Sequence, residues 1–255
     1  MKIGNWCRKL SVTLVAGGAM MPVAANAAAV GVNLVTNGNF ESVDVATTGN
    51  YKGPLILGFT GPNLFAYSHN GSMAGSPAAV VPDYADGADP PGAGNWYFTS
   101  NNTGTSTPTD VRAAGVYYQD IDVSSGATAS AIAAGGAAFN LSAYMSSYLN
   151  QSDFGNVQVE FRNAASATLG TALITDQADA GPDNVWSLSS TSGSVPVGTD
   201  SVRLSLFGST SVGGGADGYI DNVDFRISQI PEPATAALAG IGIAAVALRR
   251  RREDS

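Results

Sequence analysis

Among the groups that could do chemistry in this chain, one carboxylate stands where it would cost most. Tyr219, Asp221, Val223, Phe225 and Ile227 share one parity, so strict strand alternation turns Asp221 toward a core with three apolar neighbours. Burying a carboxylate is costly unless it is paired or bound to a metal. A bulge at Asp221-Asn222 that turns the acid to solvent, or a hydrogen bond to a neighbouring amide, would serve equally. Asp83, Asp86 and Asp89 lack the downstream bidentate glutamate of a helix-loop-helix calcium site, and Pro90-Pro91 follows at once, so they read as a solvated acidic turn. Asp176, Asp179 and Asp183 read the same way. Nucleophilic catalysis is poorly supplied: beyond the first 27 residues there is one histidine, His69, no cysteine and no G-x-S-x-G elbow. The match to G-x-G-x-x-G in Gly213 to Gly218 is followed by a strand pattern rather than a helix, which leaves it a flexible loop. Aromatic side chains are the better supply. Their flat faces can stack on pyranose rings while their polar tips hydrogen-bond hydroxyls. Tyr118 and Tyr144 fall at polar-facing strand positions, and Tyr97 lies, with Trp96 and Trp186, close to strand edges. These three tyrosines are the expected ligand-binding residues.

The elements that would position them are strands. Val157, Val159 and Phe161 alternate with Gln158, Glu160 and Arg162; Val202, Leu204 and Leu206 alternate with Arg203 and Ser205. Phe139, Leu141, Ala143 and Met145 alternate with Asn140, Ser142, Tyr144 and Ser146. This period of two is that of half-buried strands. Further strands are expected at Trp96 to Ser100, Gly115 to Val123 and Thr171 to Thr175. Turn-rich stretches lie between them. Ala127 to Ala138 is too rich in glycine and alanine to assign. Many short strands with long polar turns predict an all-β fold, a β-sandwich.

Both ends of the chain carry a different kind of signal. Lys2, Arg8 and Lys9 precede the mostly apolar Leu10 to Val23, and Ala25-Asn26-Ala27 fits a small-x-small cleavage site, the pattern of a secretory signal peptide over residues 1–27. Cys7 precedes the apolar stretch, so the chain beyond the cleavage point has no cysteine and depends on its core, or on a metal, rather than on disulfides. At the other end Pro231-Glu232-Pro233 precedes the uncharged run Ala234 to Leu248 and then Arg249, Arg250, Arg251 and Arg252. The prolines keep this lead extended and outside any sheet interior. As a helix the 15 uncharged residues would reach about 22 Å, short of a hydrocarbon core about 30 Å thick. That is a temporary stop rather than a permanent anchor, with the arginines held on the cytoplasmic side. A buried C-terminal helix with a solvated basic end is the alternative.

Two resemblances rest on these residues. The order Pro-Glu-Pro, apolar segment and arginine cluster, over residues 229–255, resembles the PEP-CTERM sorting tail of certain Gram-negative bacteria, which implies an exosortase-type processing enzyme as partner. Asn33-Leu34-Val35-Thr36-Asn37-Gly38-Asn39-Phe40-Glu41 resembles the opening strand of galactose-binding-like jelly rolls, which include many carbohydrate-binding modules. Gly218 to Phe225 resembles their last strand. Tyr118-Gln119-Asp120-Ile121 and Trp186-Ser187 fall in matching places. This likeness implies a jelly-roll β-sandwich over residues 28–228. It also implies a structural Ca²⁺ where first and last strands meet, with Glu41 and Asp221 as side-chain ligands and a backbone carbonyl near Asn39 completing the oxygen shell.

The charge balance narrows the function. The whole chain of 255 residues carries a formal charge of −8. Between the two ends only Lys52, Arg112, Arg162, Arg203 and Arg226 face 17 acids, a balance of −12. Such a domain repels nucleic-acid phosphates and suits a soluble exported protein that binds divalent cations. The expected role is that of a non-catalytic cell-surface or matrix protein that binds exopolysaccharide, delivered after transient retention at the inner membrane. A purely structural matrix or floc protein without a glycan site is the alternative, and a secreted hydrolase using paired carboxylates is the weaker third.

Overall fold

The computed structural model describes residues 30–44, 55–61, 66–68, 89–99, 116–147, 153–175, 185–210 and 218–230. The signal peptide, the sorting residues Pro231, Glu232, Pro233 and Arg249 to Arg252, His69, Asp83, Asp86, the Asp176 to Asp183 acids and the Gly213 to Asp217 loop lie outside them. Alternating apolar residues close two antiparallel sheets against each other. One contains β5 (Tyr117–Asp122), β10 (Ser201–Thr210), β7 (Asp153–Arg162) and β8 (Thr168–Thr175), in that spatial order. The other contains β3 (Ala66–Ser68), β4 (Trp96–Thr99), β11 (Gly218–Gln229), β6 (Ala137–Ser147) and β9 (Ser187–Ser194). A short ribbon of β1 (Val43–Asp44) and β2 (Leu55–Ile56) stands apart. From β4 onward successive strands cross between the sheets except at the β7–β8 hairpin, as in a jelly roll, so the expected all-β sandwich is what forms.

The core is built from the predicted parities. Val157, Val159, Phe161, Val202, Leu204 and Leu206 of one sheet meet Phe139, Leu141, Met145, Ile220 and Phe225 of the other. Phe161 bridges the layers, its ring centroid 5.1 Å from that of Phe139 and 6.4 Å from that of Phe225. Five elements escaped the alternation pattern. The helix α1 (Gly126–Ala133) buries only Thr128, Ala131 and Ile132, too narrow a stripe to show as a period. The strand β9 reads Ser-Leu-Ser-Ser-Thr-Ser-Gly-Ser and has no apolar alternation to reveal it. β1, β2 and β3 are two or three residues long.

The opening segment corrects one expectation. Residues 33–41 lie beside β11 but not as a regular strand. Leu34 donates its amide to the Phe225 carbonyl at 2.8 Å, and Val223 donates to Gly38 at 2.8 Å. Between them the Asn33 side chain stands in for backbone: Oδ1 accepts from Phe225 and Val35, and Nδ2 donates to the Val223 carbonyl. Asn37 and Phe40 then adopt positive φ, 56° and 55°, which bends the chain away from any ladder. Among the described residues no helix is long and apolar enough to cross a membrane.

Candidate functional site

Asp221 is fully buried, as its parity required, but not in the inter-sheet core. In β11 the register against β6 slips between Asp221 and Asp224, and Asn222 sits at φ 49°. One extra residue reverses the parity. Ile220 pairs with Met145 and Phe225 with Leu141, both facing the core, whereas Asp221 pairs with Tyr144 on the outer face of the five-stranded sheet. The bulge is therefore present without turning the acid to solvent. Asp221 Oδ1 accepts the Asn222 amide at 2.6 Å.

Tyr144 is half-buried and flanked across the ladders by Asp221 on one side and Leu188 on the other, the latter 58 % exposed. Along the same face the next cross-strand rows are Asp224, Ser142 and Ser190, then Arg226, Asn140 and Ser192. Asp224 and Arg226 form a bidentate ion pair with both contacts at 2.7 Å. The outer face of β11, β6 and β9 is thus one half-open ring and one exposed leucine followed by hydroxyl, amide and charged groups. The alternation in β6 placed Asn140, Ser142 and Tyr144 on one polar face but did not reveal their cross-strand neighbours. β9 carried no strand signal, and the bulge hid the side on which Asp221 and Asp224 stand.

Tyr97 corrects its expectation as a ligand-binding residue. All four residues of β4 are buried, so the strand is covered on both faces and the Tyr97 ring offers no surface to a sugar. It packs edge-on against Trp186 at 5.3 Å and Tyr219 at 5.2 Å, forming a second buried aromatic layer above the same sheet. Tyr118 lies on the outer face of the other sheet. Arg203 stands 3.8 Å over its ring and binds Asp120 in a bidentate pair at 2.7 and 2.6 Å, so one ring face is taken. The structure does not bring the three tyrosines together.

The expected metal donors are also dispersed in their contacts. Glu41 Oε1 accepts the amides of Asn95 and Trp96 at 2.7 and 2.8 Å, and Oε2 accepts Asn95 Nδ2 at 3.2 Å. These bonds clamp the entry to β4, and a Cβ added at Gly94 would displace the Glu41 carboxyl group from them. Asn39 lines a cavity of about 440 Å³ with Asn33, Asn37, Asn222 and Asp224. Among the described residues no three His, Cys, Asp or Glu side chains gather as a metal cluster. What the junction does supply is oxygen, from the backbone carbonyls and side-chain amides of the asparagines that line it, a donor type that suits a hard cation.

Displaced carboxylates are displaced downward. The Arg203 guanidinium holds Asp120 below its ordinary value. Arg162, with help from Thr168, does the same for Glu160, and the Ser124 hydroxyl and amide do so for Asp122. None of these is a carboxyl kept protonated to act as a general acid.

Comparison with known proteins adds a sorting signal and little chemistry. No curated protein sequence matches the chain. Similar solved structures include the enzymatically active domain of tailspike protein 4 from bacteriophage CBA120, at 15 % identity over 77 % of this chain with a TM-score of 0.41. The chain spans only 21 % of that protein. The CBM22-1 xylan-binding domain of Paenibacillus barcinonensis Xyn10C aligns at 11 % identity over 74 % of this chain and 97 % of its own, TM-score 0.36. A Stig cyclase from Fischerella aligns at 10 % identity over 78 % and 98 %, TM-score 0.44. Similarity this distant carries no argument about ligand or activity. Residues 229–252 match the PEP-CTERM protein-sorting motif. The chain thus carries the recognition signal for exosortase processing and is an exported protein of the cell surface or extracellular space.

Proposed function

We propose that the sandwich is a non-catalytic polysaccharide-binding domain and that the glycan lies on the outer face of β11, β6 and β9. The observation that carries this reading is the half-exposed Tyr144 ring beside exposed Leu188, continued by Ser142, Ser190, Asn140, Asp224 and Arg226. An apolar platform with convergent hydroxyl, amide and charged partners is what a pyranose chain needs. Several carboxylates that a hydrolase would have to free are tied to arginines, Asp120 to Arg203, Glu160 to Arg162 and Asp224 to Arg226. The motif at 229–252 delivers the domain, after transient retention at the inner membrane, to a surface where exopolysaccharide is the abundant polymer. A glycan array with the processed protein tests the reading: retention on polysaccharide without turnover supports it. Binding to none makes the protein a structural matrix component, and turnover abolished by a single carboxylate substitution makes it a hydrolase.

The proposal includes a structural Ca²⁺ where the opening segment meets β11, held by the Asn39 carbonyl, Glu41 and Asp221. What supports it is the oxygen-rich lining around Asn39; Glu41 and Asp221 are not part of that lining and accept from the Asn95, Trp96 and Asn222 amides. Chelation should then lower the Tm of the processed domain, and an unchanged melting curve would remove the ion from the account.

A further inference from the structure

The end of the sandwich from which the sorting tail leaves differs from the rest of the molecule. Four stretches meet there: Ala133 to Gly136 after α1, Asn163 to Ala167 between β7 and β8, Val195 to Thr199 between β9 and β10, and Gln229-Ile230 at the end of β11. Their contact is direct. Ile230 donates its amide to Gly136 at 2.7 Å, and Val195 donates to Ala137 at 2.9 Å. A Cβ on Gly135 would lie 3.5 Å from Val197 Cγ2, and one on Gly198 would lie 3.9 Å from Leu169 Cδ1. None of the residues in these four stretches is charged, but Arg162 and Asp200 border them and exposed Asp122, paired with Ser201, lies at the same end. Three large apolar side chains protrude from this pole: Val197 at 61 % exposure, Ile230 at 41 % and Leu169 at 39 %.

The tail leaves almost no slack. The sorting motif begins at Gln229, still inside β11, and the apolar run begins at Ala234. Pro231 to Pro233 can span about 10 Å at full extension. The headgroup layer on one side of a bilayer is itself about 5–8 Å thick. A sandwich whose tail is inserted must therefore rest this pole on the membrane surface. What this pole can bring to the headgroup layer is its three protruding apolar side chains, with Asp122, Asp200 and Arg162 at the rim. We infer that the pole formed by Val197, Leu169 and Ile230 is a phospholipid-docking surface, its side chains entering the headgroup region while the tail is uncleaved. This rests on the reading of the tail as a membrane stop, and the experiment separates the two.

The full chain after signal removal has no cysteine, so single nitroxide labels can be placed through Val197→Cys, through Val185→Cys at the opposite end beside the start of β9, and through Ala239→Cys in the tail. Each labelled protein is reconstituted into phosphatidylethanolamine–phosphatidylglycerol vesicles. Collision rates with lipid-soluble oxygen and with an aqueous nickel chelate are then measured. The label at position 197 should collide several-fold more with oxygen, and several-fold less with nickel, than the label at 185. Inserting about ten glycine and serine residues between Ile230 and Pro231 should reduce that difference. If position 239 is lipid-buried while 197 matches 185, docking is wrong and the tail reading stands. If 239 is as exposed to nickel as 185, the tail reading fails and docking falls with it. If 197 becomes shielded only when the processing enzyme is added, the pole meets protein and the bilayer assignment is overturned.

Discussion

Two of the three tyrosines expected to bind ligand, Tyr97 and Tyr144, lie on the five-stranded sheet, and their difference in exposure decides what each can do. Tyr97 is fully buried between Trp186 and Tyr219, so Tyr97→Ala should destabilise the domain by about 3–5 kcal/mol, the usual loss for a buried aromatic. Tyr144 is half-buried, and Tyr144→Ala should cost less than about 1 kcal/mol of stability. Urea unfolding of both variants checks the contrast, and equal losses would contradict the placement of Tyr144. Both residues were visible in the sequence as strand aromatics, but only Tyr144 was legible as a surface residue. Alternation marks one face of a strand as buried; it cannot say that a second layer covers the other face, which is what happens over β4.

At the scale of the element, β11 is where pattern and structure part. Its apolar residues predicted a strand, and the strand runs the full Gly218–Gln229. What the pattern could not contain is the bulge at Asn222, because one residue in the left-handed region leaves the composition unchanged while reversing the side of everything before it. The same edge receives the opening segment. A Cβ on Gly38 would overlap the Val223 carbonyl, and backbone has nowhere to move, since Val223 is already bonded to Gly38 and Asn33. Gly38→Ala should therefore lower stability by at least about 2 kcal/mol, measured by urea unfolding; a neutral result would show that the opening segment is not held there. The four-stranded sheet makes a pH prediction. Asp120 and Glu160 have lowered pKa values, with Arg203 and Arg162 as the leading causes. Their contribution is complete at neutral pH and is lost as pH falls through the folded-state values. The Tm should fall below about pH 5, and Arg203→Met should flatten that fall. A variant whose Tm keeps the wild-type slope would show that the pair contributes nothing measurable.

Over the whole molecule, the two outer faces differ in what they leave open to solvent. The face bearing Tyr118, Asp120, Arg203, Glu160 and Arg162 is closed on itself by ion pairs and a guanidinium over the ring. The face bearing Tyr144 leaves its ring and Leu188 partly open to solvent and faces it with hydroxyl and amide groups. The sandwich class was legible from strand parity alone, and the sorting motif from residues 229–252. Which face could serve the proposed glycan was not, because sheet pairing decides which residues become neighbours. Native affinity electrophoresis of the processed protein through gels containing the polysaccharide it retains tests this directly. Wild type and Tyr118→Ala should be retarded alike. Tyr144→Ala should bind about tenfold more weakly, a loss of about 1.4 kcal/mol. Retardation lost in Tyr118→Ala, or equal in all three, would contradict the placement of the glycan on the Tyr144 face.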